Sequence, residues 1–547
     1  MIAYAPVAGG QRVLEILTRV PPQCVRPDRR RQAPRVARRR HRDQRAGNLG
    51  TEEAALDRYR SRRPGSQWWR RSWRAGVPGE GAACRWHAGT RPCLVIRPGR
   101  SPVAPRGLAS GTAVRVLRPL CSPTRADAQC PGRQKGKPAM LEISRFAPDA
   151  FPDISPVAGV TSATTSCGLK SGDGPDLLLM AVRPGTTVTG VFTQSTVTSP
   201  AVQRCQRSMR EGRARALVVH AGNANALTGA QGRLLVERIC ESVAVSLDCP
   251  AGEIVTAGTG IIGQRISDEQ LLEPLPSLVD AQDAVDWRQA AEAIRTTDTF
   301  PKASSRSFML GDQPIVVSGI AKGSGMIAPD MATMLCFMFT NATVDAAELH
   351  RLLIYANSGS FRRITVDGDE STSDTMLAFA TNNTDLAADG DRDAAVIQLR
   401  DAFAEVAHDL AMQVVGDGEG ISKLITVTVR GARTDDDAHA MAKSIAESPL
   451  VKTAIGGGHP NWGRIAMAIG KSRRPVQQER LTVWLGKNKV MINGGQNDSL
   501  DQTTLAAYMK SDSIDITVDV GMGHENSTMR TCDLTKEYID INAHYMT

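Results

Sequence analysis

A chain of 547 residues is long enough for two or three domains with substantial cores. Its net charge of +9 is unevenly distributed, because the first 139 residues hold about 28 Arg and 2 Lys against 8 acidic residues, which leaves about −13 for the rest. The high pI therefore belongs to the first quarter of the chain, and no apolar run is long enough to indicate a membrane-spanning protein.

Residues 1–139 show neither helical nor alternating periodicity. They consist of Arg-Pro-Ala-Gly clusters, with tryptophans placed beside arginines. Such a composition buries too little apolar surface to offset chain entropy. We expect a disordered basic extension, or a mis-assigned start with Met140 as the physiological one. A basic nucleic-acid-binding arm and a transit peptide are the alternatives.

The eleven cysteines are scattered along the chain. They form no CxxC pair and no Cys/His set at zinc spacing, so they predict neither a disulfide framework nor a metal site. A reducing cytoplasm fits these cysteines, so we expect a cytoplasmic protein without a cofactor, which binds neither nucleic acid nor membrane.

From Met140 onward the predicted elements alternate irregularly between strands and helices. A turn at Pro184-Gly185 separates the first two predicted strands, 177–183 and 186–192. The further predicted strands are 214–220, 253–257, 313–318, 335–339, 363–366, 423–430 and the hairpin 481–485/489–492. The predicted helices are 231–245, 345–357, 392–415 (with Ile397, Phe403, Val406 and Leu410 facing inward) and 437–446. This order predicts an α/β fold of layered mixed sheets and helices.

Three glycine-rich segments invite a nucleotide-binding interpretation. Residues 258–263 match GxGxxG after a strand, but two prolines and no firm helix follow. Residues 470–472 end like a P-loop, but Ile465 stands where its first glycine should be. Residues 416–420 are most simply a helix stop. Two acids exposed on that tight turn would suit an ammonium group.

The densest motif runs from Ala321 to Leu335. A glycine turn that leads into a buried strand accounts for its glycines and apolar residues. It gives no reason for Lys322, Pro329 and Thr333 to occur together.

This segment resembles the self-cleavage motif of the ornithine acetyltransferase family, also called glutamate N-acetyltransferase. Other stretches resemble the family in the expected order: 220–229, 259–263, 296–299, 365–374, 416–420, 461–464, and 532–535 with 541–547. The resemblance covers essentially all of Met140–Thr547. It implies transfer of the acetyl group of N2-acetylornithine to glutamate in arginine biosynthesis, with acetyl-CoA as a further donor in some members.

The resemblance also implies autocatalytic cleavage between Ala332 and Thr333. The products would be an α chain, 140–332, and a β chain, 333–547, assembled as a heterotetramer of two α and two β chains. The threonine hydroxyl attacks its own preceding carbonyl, and water opens the resulting ester. The freed α-amine, with a pKa near 8, can then serve as the base that activates the hydroxyl.

The family pattern places an oxyanion hole at the Thr259 hydroxyl and the Gly260 N–H, where a glycine lets the backbone approach the ligand closely. The substrate contacts that it implies are Thr299, Lys322, Thr333, Glu419, Asn542 and Thr547. Lys322 suits a carboxylate and Glu419 an ammonium group. The sequence departs from the family pattern at Asp330, His220, His459 and 544–546.

Two other functions stay open at this point. One is a self-cleaving amidohydrolase or aminopeptidase with an N-terminal nucleophile, in which water replaces the second amine. The other is a nucleic-acid-binding protein built on the basic extension.

Overall fold

The computed structural model describes residues 142–172, 174–328, 334–387 and 390–544. All of them belong to one unit of the chain, Arg125–Thr547. Residues 1–139, the two residues of the predicted cleavage bond, Ala332 and Thr333, and the C-terminal Thr547 lie outside the described residues.

The strands of the described ranges form two sheets with both parallel and antiparallel pairs, as predicted. The larger sheet contains β1 (Val160–Thr165), β2 (Leu177–Phe192), β3 (Arg213–Asn223), β4 (Ile254–Ile261), β5 (Asp283–Ala284), β6 (Lys302–Leu310), β7 (Gln313–Lys322), β8 (Leu335–Ala342) and β9 (Thr375–Thr384). The smaller sheet contains β10 (Leu424–Ala432), β11 (Thr482–Leu485), β12 (Asn488–Ile492), β13 (Gly495–Gln496), β14 (Ser513–Asp519) and β15 (Glu525–Cys532).

The helices pack against these sheets. They are α1 (Pro200–Ser208), α2 (Gly229–Ser246), α3 (Asp268–Leu272), α4 (Leu275–Asp280), α5 (Trp287–Ile294), α6 (Ala346–Gly359), α7 (Arg392–Val415), α8 (Asp435–Ala446), α9 (Pro449–Gly456), α10 (Trp462–Lys471), α11 (Gln502–Tyr508) and α12 (Lys536–His544). In α7 the apolar residues recur at helical spacing, and Leu399, Phe403 and Leu410 are fully buried. The prediction that Ile397 faces inward is wrong, because its side chain is 51% exposed.

The larger sheet runs in the order β4-β3-β2-β9-β8-β7-β6, with β1 beside β2 and β5 beside β1. The register of β2 with β3 shifts between Ala181 and Thr186, and Gly185 adopts a φ of 82°. The predicted turn at Pro184-Gly185 is therefore wrong. The chain continues as one strand through an irregularity, which increases local bending and twist. β1 pairs with the first half of β2 and β9 with the second.

The two halves of this sheet lie face to face, as the alternation of buried side chains along the strands shows. Leu178 of β2 shares a core with Phe337 and Phe379 of the other half. On their opposite faces, Leu177 packs with helices α2–α4 and Met338 with α6 and α7. The result is four layers, with α2–α4 and α6–α7 outside and strands inside. Trp287 of α5 packs in the core that the two strand layers share.

The smaller sheet, in the order β13-β12-β11-β14-β10-β15, shares one core with α8–α11. The predicted hairpin is present as β11 and β12. The prediction of a strand at 363–366 is wrong. A 3₁₀ turn, Phe361–Arg363, is followed there by a single bridge between Ile364 and Arg530.

Short helices also occupy the region after β4, where the two prolines predicted none. Pro274 stands at the N-cap of α4 and Pro276 in its first turn. Proline is tolerated there because those N–H groups have no partner within the helix.

A buried ion-pair cluster ties three parts of the chain together. The Lys302 ammonium at the start of β6 donates to Asp298 Oδ1 at 2.7 Å and to Asp417 Oδ2 at 2.5 Å, and all three side chains are fully buried. Asp298 Oδ1 also accepts the N–H of Gly323, just after β7, at 2.6 Å. The segment before β6, the end of β7 and the loop after α7 are thus fixed to one cation.

Replacing Lys302 by methionine should lower the free energy of unfolding by about 3–5 kcal/mol, because two buried carboxylates would lose their cation. The midpoint of urea unfolding measures this change. As a control, Arg400→Met removes an exposed pair with Asp401 and should leave the midpoint unchanged. An unchanged midpoint for Lys302→Met would contradict the importance of the cluster.

Candidate active site

A cavity lies at the edge of the larger sheet where β7 ends and β8 and β9 begin. Because β7 is antiparallel to β8 and β8 is parallel to β9, these three ends share one edge. Lys322 ends β7, Leu335 begins β8 and Asp374 precedes β9, and all three line the cavity of about 130 Å³. The facing layer contributes Thr259 and Gly260 from the end of β4.

The two residues proposed for the oxyanion hole stand side by side at this cavity. Lys322 Nζ donates to Thr259 Oγ1 at 3.4 Å. Gly260 has a φ of 121°, and a Cβ added there would lie 2.2 Å from the carbonyl carbon of Gly222. The close approach of β3 therefore requires a glycine at this position, and the approach of a ligand stays a prediction of the sequence analysis.

Lys322 and Glu419 give the cavity groups of opposite charge, with side chains only 7% and 8% exposed. Asn542 of α12 donates to Glu419 Oε2 at 2.7 Å. Burial raises the pKa of Glu419 above its ordinary value, while hydrogen bonds from Asn542 and Thr297 oppose that rise. The cavity thus holds the amine of Lys322 and the carboxyl of Glu419, a pair of groups that can bind a carboxylate and an ammonium group.

The predicted helix stop at 416–420 is present, since α7 ends at Val415. The prediction that both acids of this turn are exposed is wrong. Asp417 points inward and is fully buried in the cluster with Lys302. Burial raises the pKa of Asp417, whereas for Asp298 the charge of Lys302 outweighs burial and lowers the pKa.

Thr299 is not among the residues that line the cavity. Its N–H donates to Asp417 Oδ2 at 2.9 Å, its hydroxyl donates to Asp417 Oδ1, and Ser144 N–H donates to its Oγ1 at 2.9 Å. Two earlier residues of the same motif, Thr296 and Thr297, line the cavity instead. The motif marked the right segment, but it did not show which threonine faces the cavity.

The described residues on both sides of the predicted cleavage bond are firmly held. The N–H groups of Met326 and Ile327 donate to the Asp367 carboxylate at 2.6 and 2.9 Å. Val366 N–H donates to Ile327 O at 2.7 Å, and Thr375 N–H donates to Met334 O at 3.0 Å. The motif at 365–374, to which the sequence analysis gave no role, therefore holds the chain before 329–333, and Thr375, directly after the motif, holds the chain that follows.

Three residues of that motif, which the sequence analysis quoted without a role, line the cavity, namely Ser371, Ser373 and Asp374. Ser373 and Asp374 lie directly before β9, the strand that pairs with the start of β8, and this position is what brings them to the cavity. Because strand order is not visible in sequence, this neighbourhood could not be foreseen.

Other features of the sequence lie elsewhere. Residues 258–261 of the GxGxxG match belong to β4, so they form a strand rather than a phosphate loop. His220 is buried against Gly258, and burial lowers its pKa to about 4. His459 lies in a separate surface depression with Trp462.

Within the part of the chain that the structure describes, no group of three or more His, Cys, Asp or Glu could hold a metal ion. No helix in those ranges is long and apolar enough to cross a bilayer.

Comparison with known proteins adds a family to this geometry. A model of the ArgJ family matches residues 161–547. The arginine biosynthesis bifunctional protein ArgJ of Zymomonas mobilis is 45% identical over 409 residues, which is 74% of this chain and 99% of the relative. The protein of the same name from Agrobacterium fabrum is 42% identical over 411 residues, again 74% of this chain and 99% of the relative.

Among solved structures, the arginine biosynthesis bifunctional protein argJ from Bacillus halodurans is 38% identical and covers 39% of this chain and 100% of that chain, with a TM-score of 0.35. Since the family model spans most of the sequence and these relatives align over nearly their whole length, the chain belongs to the ArgJ family.

Proposed function

We propose that this chain transfers the acetyl group of N2-acetylornithine to glutamate through an acetyl ester on Thr333, after it cleaves itself before that residue. One observation carries the proposal. One cavity combines Thr259, Gly260, Lys322 and Glu419, and it is also lined by Met334, the residue that directly follows Thr333 in the chain. As a member of the ArgJ family, the chain is an N-acetyltransferase of arginine biosynthesis.

The reaction begins with attack of the Thr333 hydroxyl on the acetyl carbonyl, with the free α-amine of Thr333 as the base. Negative charge then develops on the carbonyl oxygen. The hydroxyl of Thr259 and the N–H of Gly260 are the donors that we assign to that oxygen, and loss of one such donor typically costs about a hundredfold or more in rate. The first amine leaves, and glutamate then takes the acetyl group from Thr333, so the kinetics should be ping-pong.

Lys322 and Glu419 are the residues that we assign to substrate binding. A desolvated ammonium such as that of Lys322 suits the substrate carboxylate, and the Glu419 carboxylate, held by Asn542, suits an ammonium group. Thr296 and Thr297 complete this assignment on structural grounds, because they line the cavity and Thr299 does not. Thr547 stays a prediction from the family pattern.

The α chain 140–332, the β chain 333–547, their assembly as two α and two β chains, and a cytoplasmic location are likewise proposals. Acetyl-CoA as a further donor belongs with them. The buried contact of Lys302 with Asp417 supports stable association of the two chains after cleavage, because it joins residues on either side of Thr333.

The alternative of a hydrolase predicts a different product from the same acyl-enzyme. Transfer makes N-acetylglutamate when glutamate is added to N-acetylornithine, whereas hydrolysis makes acetate whether or not glutamate is present. Membership of the ArgJ family favours transfer.

Thr333→Ala should give a single uncut and inactive chain, because it removes the hydroxyl that serves both reactions. Wild-type protein should run as two chains on a denaturing gel, with the β chain beginning Thr-Met-Leu by Edman sequencing. Thr333→Ser is the matched control, since it keeps the hydroxyl and should still be cut and active. Active wild-type material with an intact chain across Ala332-Thr333 would refute the proposal.

Glu419→Gln should raise the KM for N-acetylornithine by about 10- to 100-fold, because a hydrogen bond to a charged group would be lost. In the wild type this KM should rise as the pH falls through the raised pKa of Glu419, at a higher pH than for a carboxyl with the ordinary value of 4.5. Steady-state kinetics at several pH values measure both effects. Glu525→Gln, at an exposed position, is the control, and an unchanged KM in Glu419→Gln would exclude the assigned role.

A chain that begins at Met140 should cleave itself and retain transferase activity, because every residue assigned to the site follows that position. The gel and the N-acetylglutamate assay check this expectation against the full-length chain. Loss of activity on truncation would instead favour a function built on the basic extension.

A further inference from the structure

Asp374 places in the cavity a carboxyl group that the proposed function has not used. Its side chain is 3% exposed. Its Oδ2 has no hydrogen-bond partner among the described residues, whereas the other cavity carboxyl, Glu419, accepts from Asn542. Buried polar atoms are nearly always paired, so an unpaired oxygen at the wall of a cavity is placed for a ligand.

The backbone fixes Asp374 next to the start of the proposed β chain. Its carbonyl accepts the Thr193 N–H at 3.1 Å. The next residue, Thr375, pairs with Leu335 and donates its N–H to Met334 O at 3.0 Å. Thr333 is bonded directly to Met334. Asp374, the residue before Thr375, therefore lies beside the start of β8, the strand that Thr333 precedes.

The charged groups around Asp374 come from three elements. Lys322 faces it from β7, Glu419 from the loop after α7, and Glu370 from its own loop. Burial raises the pKa of Asp374 well above its ordinary value, and the hydrogen bond from Ser371 and the charge of Lys322 only partly offset that rise. The raised pKa favours the protonated form of the carboxyl group, and that form can donate a proton.

We propose that Asp374 is the catalytic acid and base of the acetyl transfer, which protonates the departing amine of N-acetylornithine and deprotonates the incoming amine of glutamate. This role rests on the function proposed above. Lys322 is less suited to it, because its ammonium already contacts Thr259 and is assigned to the substrate carboxylate.

The proton balance of the first half-reaction is closed. The bond between Thr333 Oγ and the acetyl carbon forms, and the hydroxyl proton passes to the α-amine of Thr333. The bond from the acetyl carbon to the ornithine nitrogen breaks, and that nitrogen takes the Asp374 proton and leaves as a neutral amine. The enzyme now holds an acetyl ester, an ammonium group on Thr333 and a carboxylate at Asp374.

The second half-reaction is the reverse of the first with a different amine. The neutral amine of glutamate attacks the ester carbon and gives one proton to the Asp374 carboxylate. The ester bond to Thr333 Oγ breaks, and the ammonium group of Thr333 returns the proton to this oxygen. In solution the released ornithine amine takes up a proton, and the glutamate ammonium group loses one before it attacks. The enzyme therefore returns to its first state.

The test compares two acetyl donors in Asp374→Asn. N-acetylornithine has an amine leaving group that needs a proton, whereas p-nitrophenyl acetate expels a phenolate that needs none. The variant should lose about 10²- to 10⁴-fold in rate with N-acetylornithine but keep the wild-type burst of nitrophenol. Asp369→Asn, the same exchange at an exposed position of the same motif, should leave both reactions unchanged.

An unchanged rate with N-acetylornithine, or an equal loss with both donors, would overturn the role of Asp374 as an acid. If the variant does not fold or does not cleave itself, the pH dependence of the wild-type enzyme tests the proposal. The ratio of kcat/KM for N-acetylornithine to that for p-nitrophenyl acetate should fall as the pH rises through the pKa of Asp374, because the acid must be protonated. A ratio that is flat with pH rejects the proposal.

A different variant tests the proposed function on which this role rests. Thr333→Ala should give no nitrophenol burst, and a burst in that variant would remove Thr333 as the nucleophile. The difference between the two donors in Asp374→Asn would then still report whether this carboxyl donates a proton.

Discussion

The geometry of the site depends on the buried cation of Lys302, which two carboxylates share. Asp298 also accepts a hydrogen bond from the N–H of Gly323, next to Lys322, and Asp417 belongs to the turn that carries Glu419. Isolated charges are costly to bury, so the three groups hold one another in a fixed arrangement. The ion cluster does not line the cavity, but it holds the backbone on which Lys322 and Glu419 stand and so sets the distance between these two side chains.

Burial and hydrogen bonding distinguish the two carboxyl groups of the cavity, Glu419 and Asp374. Glu419 has hydrogen-bond donors on its carboxylate, and Asp374 has an oxygen with none among the described residues. Burial raises the pKa of both groups, but the hydrogen bonds at Glu419 favour its ionised form. A single cavity thus holds one carboxyl group whose hydrogen bonds favour the ionised form and another whose burial favours the protonated form.

The sequence predicted those parts of the fold that have a local cause. The helix α7, the hairpin β11–β12 and the stop after Val415 follow from apolar spacing and glycine placement. Its errors arose where distant segments decide. The continuation of β2 past Pro184-Gly185 depends on pairing with β9, and the irregular backbone at 363–366 bonds to residues on either side of it in the fold.

By itself, the sequence determined the family, the hydroxyl at Thr333 and the set of polar residues available for binding, because these are matters of residue type and order. Only the tertiary structure decided that Thr296 and Thr297, rather than Thr299, line the cavity, and that Asp417 lies in the core and Asp374 at the cavity wall. The direction in which a loop side chain points is set by the elements packed against it. Those elements come from segments far apart in the chain, so their proximity appears only when the strands have paired.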